Sequence, residues 1–97
     1  MWIDEVVLND GVELAVRDHG GGGQALILVH GGPGQNLATW DHFVPQIAGD
    51  FRAVAFDLRG NGLSSDAEDY SYRALASDIN AVVEHYRLER PIVAGHS

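Results

Sequence analysis

Three short apolar runs constrain the fold of this chain more than anything else in it: residues 25–29 (ALILV), 52–56 (RAVAF) and 92–94 (IVA). None of them shows the alternation of a strand with one face in water. A strand covered on both faces reads as a continuous apolar run, and such strands belong to parallel sheets. Each run is followed at once by a polar stretch containing glycine: residues 30–34 (HGGPG), 57–65 (DLRGNGLSS) and 95–97 (GHS).

The segments between them fit crossovers. Residues 40–48 (WDHFVPQIA) are weakly helical, with Thr39 as N-cap and a kink or late start at Pro45. Residues 71–88 predict the clearest helix, capped by Ser71 and stopped before Pro91. Its apolar stripe is Tyr72, Leu75, Ala76, Ile79, Val82, Val83 and Tyr86, with Asp78, Glu84, His85 and Arg87 off it. Ahead of all this, residues 2–9 and 12–18 read as a hairpin around Asn9-Asp10-Gly11, the second strand alternating Val12, Leu14 and Val16 with Glu13, Ala15 and Arg17. The four glycines at 20–23 read as a flexible surface loop, because a phosphate-binding Walker loop needs a lysine and the chain has none.

A hairpin followed by strand, helix, strand, helix, strand predicts an α/β fold with parallel crossovers. In such a sheet the carboxyl ends of the strands open on one crevice, where ligands bind. The three polar stretches are therefore expected to meet in space.

Composition excludes several classes. With no cysteine there are no disulfides, no thiolate chemistry and no cysteine-bound zinc. A net charge of -8 leaves no basic patch for nucleic acid or an anionic membrane. No apolar run approaches the roughly 20 residues that span a bilayer, and the acidic N-terminus lacks a signal-peptide pattern, so a cytoplasmic location is expected. No cofactor is expected, and a metal site from His30, Asp57 and His96 is rejected because it lacks a ligand spacing.

The ordered set of His30-Gly-Gly-Pro-Gly34 after an apolar strand, Asp57-x-Arg-Gly-x-Gly-x-Ser64, and Gly95-His-Ser97 resembles the N-terminal half of an α/β-hydrolase. The resemblance covers nearly the whole chain. It implies the first five strands and first two helices of a mostly parallel, eight-stranded sheet, with residues 1–97 as the N-terminal part of a single domain. The remaining C-terminal half and cap, on the same or a second chain, are then the chief partner. Residues 1–97 alone are expected to aggregate or stay molten and to be inactive.

The resemblance also implies roles. Ser97 is the nucleophile at the tip of a strand-to-helix elbow. Gly32 gives one backbone N–H to the oxyanion hole, and the residue after the serine gives the other. Gly32–Pro33 is a candidate cis bond. His30, Gly31, Pro33, Gly34 and His96 line or support the site. Asp57 and Arg59 hold their own loop by an ion pair or backbone hydrogen bonds, and Gly60 and Gly62 supply turns. The family's chain order is serine, acid, histidine, so none of His19, His30, His42, His85 and His96 is the base. A serine at the elbow speaks against the epoxide and haloalkane branches, which use aspartate there. The loop at His30 looks like that of proline iminopeptidases, whereas Gly-His-Ser is closer to general esterases and lactonases. The expected activity is hydrolysis of an ester, lactone or amide of a small, largely apolar substrate through an acyl-enzyme. The alternatives are a proline iminopeptidase-type aminopeptidase, a non-catalytic small-molecule-binding module on the same fold, and a purely structural protein.

Overall fold

The computed structural model describes residues 2–32 and 34–97. Five strands form one mixed sheet in the order β1-β2-β4-β3-β5. β1 (Ile3–Asn9) and β2 (Val12–Gly20) are the antiparallel hairpin. Asp10 and Gly11 turn it with φ of 50° and 85°, the handedness that matches strand twist in a two-residue loop. β2 pairs antiparallel with β4 (Phe51–Phe56), and its register shifts between Asp18 and Gly20. β3 (Gln24–Val29) runs parallel to β4 on one side and to β5 (Ile92–Gly95) on the other. Among the described residues no strand pairs with the outer edge of β5, and Ile92 and Val93 are each 48% exposed.

Of the three continuous apolar runs, those in β3 and β4 are covered on both faces, whereas β5 stays largely exposed. Ile27, Val54 and Phe56 join Leu14, Val16 and Val82 in a core beneath the helix. Leu26, Leu28, Ala53 and Ala55 face the other way, against Leu37 and Val44. Fully burying one such large aliphatic or aromatic side chain stabilises by roughly 1.5–3 kcal/mol.

Two expectations about the crossovers change. The first crossover is not an α-helix but two short 3₁₀ turns, Leu37–Trp40 and Val44–Gln46. Pro45 lacks an N–H and blocks a longer helix. The cap is Asn36, whose Oδ1 accepts from the Ala38 N–H at 2.9 Å, and not Thr39. The second crossover is α1 (Tyr72–His85), with Ser71 capping it as expected. Its buried line is Ala74, Asp78 and Val82, whereas Tyr72 is 91% exposed and Ala76 is exposed. The glycine run is also no slack loop. Gly21 and Gly23 have φ of 95° and 94°, and a Cβ on either would lie 2.3 Å from the Phe51 carbonyl or 2.4 Å from the Asp50 carbonyl.

Asp78, expected off the apolar stripe, is fully buried because Arg59 reaches it. Arg59 donates from Nε and Nη2 to the two carboxylate oxygens at 2.7 Å each, and from Nη1 to the Asp69 carbonyl at 2.7 Å. Asn9 at the end of β1 adds a third donor to the carboxylate at 2.8 Å. One carboxylate thus ties the hairpin, the loop after β4 and α1 together. Removing one partner of a buried pair strands the other charge. Asp78→Ala is expected to destabilise the full-length protein by about 3–5 kcal/mol in urea unfolding. A loss below about 1 kcal/mol, typical of exposed pairs, would show that the pair does not organise the fold.

Candidate active site

The sheet order makes a crevice. The chain leaves β3 for β4 on one side, then crosses back to β5 on the other side of β3. The 3₁₀ segment and α1 cover opposite faces, so the strand order reverses at the carboxyl end of β3. Ligand crevices in open α/β sheets form at such a reversal. The three polar stretches do meet there. The His96 N–H continues the ladder to the Val29 carbonyl at 3.1 Å, the Leu58 N–H reaches His30, and the Leu37 N–H reaches Asp57.

His30 is 2% exposed, and both its nitrogens are occupied. The Leu58 N–H donates to Nε2 at 3.0 Å, so Nε2 is the acceptor and the ring proton is on Nδ1. Nδ1 then donates to the Gly31 carbonyl at 2.7 Å. That carbonyl shares a planar peptide with the Gly32 N–H, which points the opposite way. His30 therefore sets the direction of the Gly32 N–H, which has no hydrogen-bond partner among the described residues. Gly34, at φ 85°, completes a turn closed by the Gln35 N–H on the Gly32 carbonyl at 3.2 Å. Pro33, and with it the candidate cis bond, lies outside the described residues.

The loop after β4 is fastened separately. Asp57 is buried and accepts from the Leu37 N–H at 2.7 Å and the Leu63 N–H at 2.9 Å. It holds its loop by backbone hydrogen bonds, as one reading of the sequence had it. It does not pair with Arg59, which has gone to Asp78. Gly62 fits only because it has no Cβ, since one would fall 2.2 Å from Asp57 Oδ2. Ser64 and Ser65 accept from the N–H groups of Ala15 and Glu13 at 2.9 Å each, finishing the edge of β2 where β4 has ended.

Ser97 follows β5 with φ 61° and is exposed. Asp10, Arg87 and Arg90 share a positive φ of this kind. His96 does not turn toward Ser97 as a base. The ring lies against the loop after β3, with Nδ1 3.2 Å from Gln35 Oε1. Gln35 also accepts from the Gly31 N–H at 3.1 Å. Sequence reading missed Gln35, because a lone polar residue after a glycine loop carries no periodic signal. Among the described residues no group of three His, Asp or Glu side chains could hold a metal ion, and no helix is long and apolar enough to cross a membrane.

The family model for the alpha/beta hydrolase fold matches residues 24–97. The chain belongs to the α/β-hydrolase family. It is 42% identical over 83 residues to a fluoroacetate dehalogenase from a Burkholderia species, covering 79% of this chain and 27% of that protein. It is 35% identical over 87 residues to the karrikin insensitive 2 receptor CA of Petunia hybrida, covering 84% and 32%. Among solved structures, a putative epoxide hydrolase from Pseudomonas aeruginosa superposes with TM-score 0.89 at 33% identity, over 99% of this chain and 33% of that one. A serine-to-alanine variant of an N-formylmaleamic acid deformylase from Pseudomonas putida superposes with TM-score 0.84 at 30% identity, over 98% and 37%. The chain thus spans between 27% and 37% of the length of these proteins.

The other histidines of this family member lie on other elements. His42 is exposed in the first crossover, and His85 stands 3.4 Å from Glu5. His19 on β2 is 6% exposed, packs edge-on to Trp2 at 4.7 Å, and has no hydrogen-bond partner for either ring nitrogen among the described residues. Burial pushes its pKa below the ordinary 6.5; nearby Arg17 lowers it too, and Asp41, Asp18 and Asp4 oppose the shift. The folded state therefore refuses a proton that the unfolded state accepts. This contribution to stability is complete above 6.5 and is lost as pH falls toward the depressed folded value. His19→Phe keeps an aromatic ring and should flatten that part of the profile. Urea midpoints of both full-length proteins between neutral pH and about pH 5 would show it, and identical slopes would exclude it.

Proposed function

We propose that residues 1–97 are the N-terminal part of a single α/β-hydrolase domain. In this reading the full-length protein is a serine hydrolase acting on an ester, lactone or amide of a small, largely apolar substrate. One observation carries it: a serine with φ 61° follows β5, beside a loop whose Gly32 N–H is directed by His30 and unpartnered among the described residues.

Ser97 Oγ attacks the carbonyl carbon while its proton passes to a base. The carbonyl oxygen becomes an oxyanion and takes the Gly32 N–H and the N–H of the residue after Ser97. The intermediate collapses, the leaving alcohol or amine takes the proton, and water then hydrolyses the acyl-serine ester. The base and acid come from beyond Ser97, since both nitrogens of His30 are occupied and His96 Nδ1 faces Gln35. The protein works in the cytoplasm.

The identity of the nucleophile separates this reading from halide displacement or epoxide opening. A carboxylate that displaces halide or opens an epoxide forms an ester, which water can cleave. A serine would form an ether, which water cannot cleave under the same conditions. The deformylase supports the serine reading, being named for removal of a formyl group and solved with a serine replaced. The karrikin insensitive receptor supports a second reading, in which the same crevice binds a small molecule without turnover.

A fluorophosphonate probe should label Ser97 in the full-length protein, and Ser97→Ala should abolish both labelling and ester hydrolysis. Activity that survives in Ser97→Ala would end the hydrolase reading; absent labelling with retained ligand binding would favour the receptor-like one. Gly32→Val tests the oxyanion donor. A Cβ there meets nothing within 4 Å, so the side chain has room. Turnover should fall about tenfold to a thousandfold with little change in melting temperature. Unchanged turnover would remove Gly32 from the site.

A further inference from the structure

The loop after β3 and the elbow after β5 share one acceptor. The Gly31 N–H contacts Gln35 Oε1 at 3.1 Å. A backbone N–H only donates, so the contacted atom is the carboxamide oxygen and the orientation of the amide is settled. His96 Nδ1 lies 3.2 Å from the same oxygen, which cannot donate, so His96 carries its proton on Nδ1. The two loops also touch directly. A Cβ on Gly31 would lie 2.8 Å from the His96 carbonyl oxygen and 2.9 Å from His96 Nδ1. Gly31 is thereby held on its N–H by Gln35 and on its carbonyl by His30 at 2.7 Å.

We propose that Gln35 is a positioning residue that couples the oxyanion loop to the nucleophile elbow through His96, and so fixes the spacing between the Gly32 N–H and Ser97. The inference rests on Gly32 and Ser97 acting as proposed above. It assigns His96 a task at the site other than base. The imidazole Nδ1–H serves as a strut, and its identity matters because it must donate to the oxygen that also receives Gly31. Nothing in the coupling needs Gln35 to touch substrate. Its loss should therefore slow the chemical step and leave binding nearly intact.

The test is a double-mutant cycle in the full-length protein with an activated ester. Gln35→Ala and His96→Phe should each lower kcat about tenfold to a hundredfold, the scale of a misplaced reacting group. KM should stay within about twofold. Because the residues act as one unit, the double variant should be no slower than the worse single one. An unchanged kcat in Gln35→Ala, or losses that multiply in the double variant, would overturn the proposal. A second measurement needs no turnover. In the Ser97→Ala protein, ¹⁵N NMR of the His96 ring should find the proton on Nδ1, and adding Gln35→Ala should shift it toward Nε2. A proton on Nε2 in the parent overturns the coupling even if Gln35→Ala fails to fold. If the tautomer is as expected but the unsubstituted protein neither labels nor hydrolyses, the failure belongs to the hydrolase reading and not to the strut.

Discussion

β3 is hydrogen-bonded along both edges and packed on both faces, and the rest of the site depends on that confinement. Its backbone groups are satisfied by β4 and β5, and its side chains divide between two cores. A strand so held leaves no freedom in where its carboxyl end emerges. The loop from His30 onward therefore starts from a fixed point, with β4 delivering Asp57 on one side and β5 delivering Ser97 on the other. Backbone pairing alone thus sets where the three loops emerge.

Polar side chains then secure what the strands deliver. His30 joins its own loop to Leu58, Asp57 joins the first crossover to Leu63, and Arg59 joins the same loop to α1. Each of these groups is buried, where an unpaired polar atom is costly, so each contact is close to obligatory once the fold forms. The division of labour is clear in the loop after β4. Its two ends answer to different elements, yet its middle is pinned to β2 by Ser64 and Ser65 standing in for strand backbone.

The strands were legible because their signal is local. Two-residue alternation in β2 and unbroken apolar runs in β3 and β4 each announce how many faces are covered. Convergence of the three loops was legible too, because it follows from connectivity alone. Contacts between distant residues were not. Asp78 reads as a solvated helix position until Arg59 reaches it from another element, and the helix face turns to bury that pair at the expense of Tyr72. The first crossover was misread because Trp40, Val44 and Ile47 imitate a helical stripe while Pro45 and the Asn36 cap impose shorter turns. Gln35 could not be read at all, since its partner His96 lies 61 residues away.

The glycines between β2 and β3 carry a consequence for engineering. Composition and exposure together mark residues 20–23 as the obvious place to insert a tag, graft a peptide or substitute serine. Yet Gly21 and Gly23 are pressed against the carbonyls of Phe51 and Asp50, on the very approach by which β4 enters the sheet beside β3. Tolerance here is set by the neighbouring backbone and not by access to water. A surface position can thus be as closed to variation as the interior, and a library built from accessibility alone would damage this corner first.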